Sequence, residues 1–309
     1  MTRRSDLITI IDPLPQATLF PALSGPDFQS IWQQISLFGT EGSDVLIATG
    51  FIRFVYGLGG DDIILTNAAA GYYYGGNGSD FFFAGAGADY IDGGGQGRGG
   101  SDTVDYRNSI SSVSVNLETG HAAGGHAAGD TLVNVENLNG SAFEDWLTGD
   151  ARANILRGLG GDDSIDGGIG NDVIVGGEND FGLLYGDLLT GGTGGDTFVF
   201  AYEGDSGGDV SSDIITDFLS GVDTFEFTGF QDAGTFDDLL QNGAVFSGNQ
   251  SGFSGQQSEI IYSFASDNTL GNFTTVSARF IEDDGLAVHQ SDVILLGFVT
   301  LQAADFEFV

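Results

Sequence analysis

Cysteine is absent from the 309 residues, which removes disulfides, thiolate metal sites and thiol catalysis. Lysine is absent as well: the 8 basic residues are all arginine, set against 44 acidic ones, for a formal net charge of −36. That balance disfavours nucleic acid as a partner. Proline occurs only 4 times beside 52 glycines, a ratio that suits stacked turns and not collagen, which needs Gly at every third place and far more Pro. No stretch approaches the ~20 apolar residues of a membrane span. The N-terminus, MTRRSDLITIIDPLP, has an apolar run of only about five residues before Asp12 and Pro13, too short for a signal-peptide core. If the chain is exported, another address is needed. The motifs of familiar hydrolases are missing too. There is no H-E-x-x-H, and His121, His126 and His289 do not compose a zinc-protease helix. Without a G-x-S-x-G, a lipase of the usual hydrolase type is unsupported. The chain reads as non-enzymatic.

What is present is a period. Residues 39–92 divide without gaps into six nonapeptides: GTEGSDVLI, ATGFIRFVY, GLGGDDIIL, TNAAAGYYY, GGNGSDFFF and AGAGADYID. Sustained periodicity marks a repeat architecture and outranks local propensity. The template is G-G-x-G-x-D-x-U-x, with U a large apolar residue. Its glycine-rich half turns and lets backbones crowd together, and its last three residues run extended. Two nonapeptides make one flattened coil, so loops 18 residues apart stack at about 4.8 Å. Aspartates at the sixth position of stacked loops, with carbonyls freed from any ladder, offer the all-oxygen cage that calcium prefers.

The sixth positions fall on two edges. One carries Asp44, Asp62 and Asp80, then Asp102 after a four-residue expansion in the Gly-rich stretch 93–100; the other carries Arg53, Gly71 and Asp89. Calcium is expected along the first edge, and the Arg53/Gly71 site is expected to be lost. A second block restarts at residue 140, with edges Asp145, Asp163, Asp187 and Asn154, Asp172, Asp196 and an insertion of roughly six residues near 176–181. Asn154 keeps a carbonyl oxygen but no charge, which predicts a weaker site. Fourth-position glycines complete the expected ion loops: Gly42, Gly60, Gly78, Gly87, Gly100, Gly161, Gly170 and Gly194. The eighth positions, Leu46, Val55, Ile64, Tyr73, Phe82 and Ile91, predict a stacked apolar core. The seventh and ninth positions of the first block are apolar too, including Val45, Ile47, Ile63, Phe81, Phe83, Phe54, Tyr56, Tyr72, Tyr74 and Tyr90. Both faces are therefore expected to be covered by the N-terminal or C-terminal region; the alternative is an aromatic surface for a partner. Outside the blocks, the spacing of Phe28, Ile31, Trp32, Ile35 and Phe38 predicts a short amphipathic helix capping the first coil.

These nonapeptides resemble the hemolysin-type calcium-binding repeats of RTX proteins. The resemblance implies an all-β fold: a right-handed parallel β-roll or β-helix solenoid with calcium-binding loops, a short N-terminal cap and a small C-terminal β-domain. The expected partition is 1–38 cap, 39–105 first block, 106–139 spacer, 140–199 second block and 200–309 C-terminal β-domain. The spacer, with GD-T-L and N-V-E-N-L, resembles the segment joining two such blocks, and Asp130 becomes a calcium candidate on that ground. DVSSDIITDFLSGVDTFEF resembles the region after the repeats in serralysin-type C-terminal domains; Asp213, Asp217 and Asp223 match its acids, while Thr224 and Glu226 depart from it. The ending VTLQAADFEFV, with Asp305, Phe306, Phe308 and Val309, looks like the uncleaved C-terminal signal of type I secretion substrates. The implied function is a secreted, extracellular calcium-binding protein, disordered without calcium, that uses the type I secretion machinery and folds on meeting several Ca2+ ions. The alternative is an adhesive or assembly protein whose first-block aromatic faces bind glycan, a cell surface or its own copies.

Overall fold

A computed structural model describes residues 35–95, 100–178, 185–201, 212–228, 245–249, 259–267, 269–281 and 288–308. The extended half of each nonapeptide forms a short parallel strand, and glycine-rich loops carry the chain from one sheet to the other. Val45–Ile47 shows the rule: Leu46 is buried while Val45 and Ile47 face out. The eighth positions Leu46, Val55, Ile64, Tyr73, Phe82 and Ile91 all lie in the core, and Val104, Leu138, Leu147, Leu156, Ile165, Ile174, Leu189 and Phe198 continue it. Register is exact at one coil: Ile63 pairs with Val45 and with Phe81, and Tyr72 with Phe54 and Tyr90. The result is a parallel β-roll of two facing sheets, one of 15 strands and one of 10.

The unequal strand numbers arise partly in the spacer. After Thr103–Asp105 the chain forms Ser114–Asn116, reverses through His121–Ala123, which is antiparallel to both its neighbours, and returns as Thr131–Val133 beside Tyr90. Asn137–Asn139 then rejoins the ten-stranded sheet between Thr103–Asp105 and Ile155–Gly160. The spacer thus adds an antiparallel reversal to the parallel winding. The C-terminal strands extend the same sheets. Val288–Leu296 pairs with Ser212–Ile215, followed by antiparallel Gly271–Ile281 and Glu259–Asp267. Phe306–Phe308 pairs in parallel with Thr224–Thr228 at the end of the ten-stranded sheet.

One expectation is corrected in part. Ser36–Phe38, placed at the end of an amphipathic helix, is a strand in register with Phe54–Tyr56; a pairing partner one coil away outweighs the helical spacing there, while Ile35 just before it is helical and residues 27–34 lie outside the described residues. On the outward faces of the first block, Val45 is 61% exposed, Ile47 45%, Ile63 40% and Tyr72 47%, while Phe54, Tyr56, Tyr74, Phe81, Phe83 and Tyr90 are half-buried; the N-terminal segment expected to cover these faces lies outside the described residues. On the fifteen-stranded face the rings shelter one another. Phe38, Tyr56 and Tyr74 form a stack with centroids 5.0 Å apart, and Phe54 stacks on Tyr72 at 5.2 Å. The strand spacing matches the separation of stacked rings, so identical positions on successive coils hide each other's faces.

Candidate metal centres

Every strand of the ten-stranded sheet is preceded by an acid or amide: Asp44, Asp62, Asp80, Asp102, Glu136, Asn154, Asp172, Asp196, Asp223 and Asp305. Between levels, one side-chain oxygen works as a staple. The Asp44 N–H donates to Asp62 Oδ1 at 2.8 Å, Asp62 N–H to Asp80 Oδ1 at 2.9 Å, Asp80 N–H to Asp102 Oδ1 at 2.8 Å and Asp102 N–H to Glu136 Oε2 at 2.9 Å. Beyond the spacer the series resumes from Asn154 to Asp172, Asp196 and Asp223. The opposite edge repeats it: Gly71 to Asp89 to Asp130, then Val113 to Asp145, Asp163, Asp187 and Asp213. Glu136 and the extension to Asp213 and Asp223 go beyond the acids the sequence assigns to these edges. The usable signal was position: each acid stands just before a strand, often as Asp-Thr (102–103, 196–197, 223–224).

The second carboxylate oxygen is what a cation would need. Oδ2 of Asp62, Asp80, Asp89, Asp163, Asp172, Asp187 and Asp196 is buried without a hydrogen-bond partner, a costly state for a charged acceptor. At the first position of these loops glycine leaves a space beside that oxygen. A methyl on Gly57 would strike both Asp62 Oδ2 and the Gly75 carbonyl, and the same holds at Gly75 (Asp80, Gly93), Gly158 (Asp163, Gly176) and Gly167 (Asp172, Gly191). A carboxylate oxygen and a backbone carbonyl thus converge with no donor between them, the oxygen set of a hard cation. Among the described residues no three acidic or imidazole side chains meet at one point; the oxygens beside these Asp Oδ2 atoms are backbone carbonyls. Burial raises these carboxylates: Asp62 to about 7, Asp80 and Asp172 to about 6, and Asp163 to about 9, with neighbouring aspartates adding to the shift.

The fourth-position glycines bring the loops together. Gly60, Gly78, Gly161, Gly170 and Gly194 have positive φ, and a Cβ on Gly78 or Gly194 would collide with the carbonyl of Gly60 or Gly170 one level below. Gly42, on the outermost loop, meets only Thr40 Oγ1 at 3.8 Å, Gly87 abuts Ala69, and Gly100 lies beside Ser101 in the expanded loop.

Levels at the ends of a series are closed differently. Asp44 Oδ2 accepts from the Thr40 N–H at 2.6 Å and hydroxyl at 2.8 Å, Asp145 Oδ2 from the Ser141 N–H at 2.5 Å, and Asp130 Oδ2 from the Tyr106 hydroxyl at 3.0 Å. In the first block the second edge departs further. Its first positions are Ala48, Thr66 and Ala84, which bear a Cβ where the other edge has glycine. The Tyr73 ring fills the space a side chain at Gly71 would take, and its hydroxyl accepts from the Asn67 N–H at 3.2 Å. Arg53 turns a guanidinium N–H onto the Ile52 carbonyl at 2.9 Å.

The profile of the family described as Peptidase M10 serralysin C terminal matches residues 72–294, and that of the RTX calcium-binding nonapeptide repeat (4 copies) matches residues 38–72. The chain belongs to the serralysin C-terminal family, and it carries RTX calcium-binding repeats; both regions are non-catalytic parts of the proteins that contain them. No curated protein matches the chain. Similar solved structures include the AlgE6R3 and AlgE6R2 subunits of the Azotobacter vinelandii mannuronan C5-epimerase. Each is 25% identical; they cover 52% and 56% of this chain and 78% and 92% of their own, with TM-scores of 0.33 and 0.35. The extracellular lipase LipA from Serratia marcescens is 17% identical over 88% of this chain and 39% of its own, with a TM-score of 0.29.

Proposed function

We propose that this is a secreted RTX protein whose β-roll forms when calcium enters the loop edges, after export by a type I secretion machinery in an expanded state. One observation carries the reading: seven buried carboxylate oxygens without donors lie on the loop edges, and at Gly57, Gly75, Gly158 and Gly167 the loops bring such an oxygen together with a carbonyl. The interior acids Asp62, Asp80, Asp163, Asp172, Asp187 and Asp196 are the principal ligands. Asp44, Asp102, Asp145 and Asn154 complete the edges, and Asp89, with Ala84 at its first position, holds an ion least well. When bound, calcium would supply the positive charge these oxygens lack. Because the net charge is −36, the calcium-free chain resists compaction, and folding is linked to ion uptake. Extracellular modules bind in the ~0.1 to 1 mM range, which confines folding to calcium-rich surroundings. Far-UV circular dichroism through a calcium titration tests this: a coil spectrum in chelator should convert to a β spectrum, and a folded spectrum in excess chelator would overturn the reading.

A second reading, assembly through the outer face of the first block, is favoured by the exposure of Val45, Ile47 and Ile63. Sugar stacking on the aromatic face is not favoured, because Phe54, Tyr56, Tyr72 and Tyr74 spend ring faces on each other. Sedimentation of the calcium-loaded protein across concentration decides it; a monomer throughout removes this reading.

A further inference from the structure

We infer that Arg152 is a covalently tethered cation standing in for a calcium ion at the seam between the two repeat blocks, an inference that rests on the calcium reading above. The seam is where the regular loop fails. Between Thr131–Val133 and Asn137–Asn139 only residues 134–136 cross from sheet to sheet, where a regular loop such as 57–62 uses six. Asn134 makes the crossing with φ of 52°, and its carbonyl faces Gly93 in the place that the carbonyls of Gly75 and Gly93 take toward the levels before them. The level that follows, residues 149–154, places Arg152 at the fourth position, where the complete loops 57–62, 75–80 and 167–172 have glycine.

The guanidinium gathers the kind of oxygens a hard cation gathers. It pairs with Glu136 Oε1, donates to the Val135 carbonyl at 3.1 Å, and holds Asp150 Oδ2 from Nε at 2.9 Å and from a terminal nitrogen at 2.6 Å. The carboxylates it holds are nearly enclosed, Glu136 with 7% and Asp150 with 12% of the side chain exposed. A merely solvated arginine would not engage two loops at once.

Asn154 fits the same account. Elsewhere the sixth residue accepts, through Oδ1, from the amide of the level before it. At the seam the preceding level offers the Glu136 carbonyl instead, and Asn154 Nδ2 donates to it at 2.8 Å while Oδ1 accepts from the Asp150 N–H at 2.8 Å. An aspartate at 154 would set oxygen against oxygen. The amide also removes one negative charge at the level where a singly charged arginine replaces a doubly charged ion. The seam is thereby held by the chain itself, and the metal-bearing stretch of this edge is split in two.

The test measures calcium per chain by equilibrium dialysis, and the calcium midpoint of folding by circular dichroism, for wild type, R152M, R152K and R152G/N154D. R152M keeps the apolar stem and should hold the wild-type number of ions with its midpoint raised about twofold or more; R152K should recover part of that loss. R152G/N154D, which restores the repeat consensus, should bind one ion more than wild type. An unchanged R152M midpoint, or a folded double variant with the wild-type ion count, overturns the inference. If the double variant does not fold, the R152M midpoint alone decides. A wild type that takes up no calcium would overturn the calcium reading itself, whereas calcium uptake with unaltered variants overturns only the role of Arg152.

Discussion

At the scale of the residue, each interior aspartate divides its two oxygens between two tasks. Oδ1 of Asp163 accepts from the Asp145 amide at 2.7 Å, which fixes the carboxylate, while Oδ2 is left for an ion. Asparagine retains the first task and loses the charge of the second. Asp163→Asn should therefore lower bound calcium, whereas Asp89→Asn, on the edge lined by Ala48, Thr66 and Ala84, should leave it close to wild type; equilibrium dialysis on both variants checks the contrast. The same geometry forbids a Cβ at the first position. Gly75→Ala forces a methyl against Asp80 Oδ2 and the Gly93 carbonyl and should cost about 1–3 kcal/mol in calcium, measured by denaturant unfolding. Protonation imitates the ion imperfectly. Burial lifts the metal-free carboxylates of Asp62, Asp80 and Asp163 to about 7, 6 and 9, so the calcium-free roll holds protons that the unfolded chain gives up. Their effect on stability favours the roll fully below about pH 4 and is lost as pH rises through roughly 6 to 9. In chelator, lowering the pH from 8 to 5 should then increase β-structure by circular dichroism.

At the scale of the element, the strands and their core were legible because the nonapeptide repeats both at once: Leu46, Val55 and Ile64 recur at the eighth place and are buried where the period puts them. Legibility stops where the period stops. His121–Ala123 lies in a run of Ala and Gly with no strand preference, and only its two antiparallel neighbours make it a strand. The three-residue crossing at Asn134 depends on a left-handed backbone at a non-glycine residue, which no composition announces. The first-position glycine carbonyls escaped notice for another reason. A repeating glycine reads as a turn requirement, and its role beside Asp Oδ2 exists only once two coils are stacked. The outer faces of the first block add what alternation rules do not carry: rings at equal positions on successive coils satisfy part of their need for burial among themselves.

At the scale of the whole molecule, both sheets run the length of the described chain and end on strands from its C-terminal region. Asp305 fastens the last turn: it is buried and accepts from the Gly221 N–H at 2.8 Å, the Ser220 hydroxyl at 2.7 Å and the Gln302 N–H at 2.8 Å. Asp305→Ala leaves those donors unpaired and should destabilise the calcium-loaded protein by about 1–3 kcal/mol, with earlier proteolysis at residues 301–308 as the local readout.

Strand pairings within the two blocks join residues 18 to 24 apart, so coils can zip one upon the next as quickly as such contacts allow. Phe306–Phe308 and Val288–Leu296 are different, because their partner strands Thr224–Thr228 and Ser212–Ile215 lie some 80 residues earlier in the chain, and closing so long a loop costs time. A calcium jump in a stopped-flow instrument should accordingly show a rapid major phase and a slower minor one, the latter vanishing when residues 288–309 are removed. These two C-terminal strands would then act as the clock of assembly, setting when a zipped roll becomes a finished one.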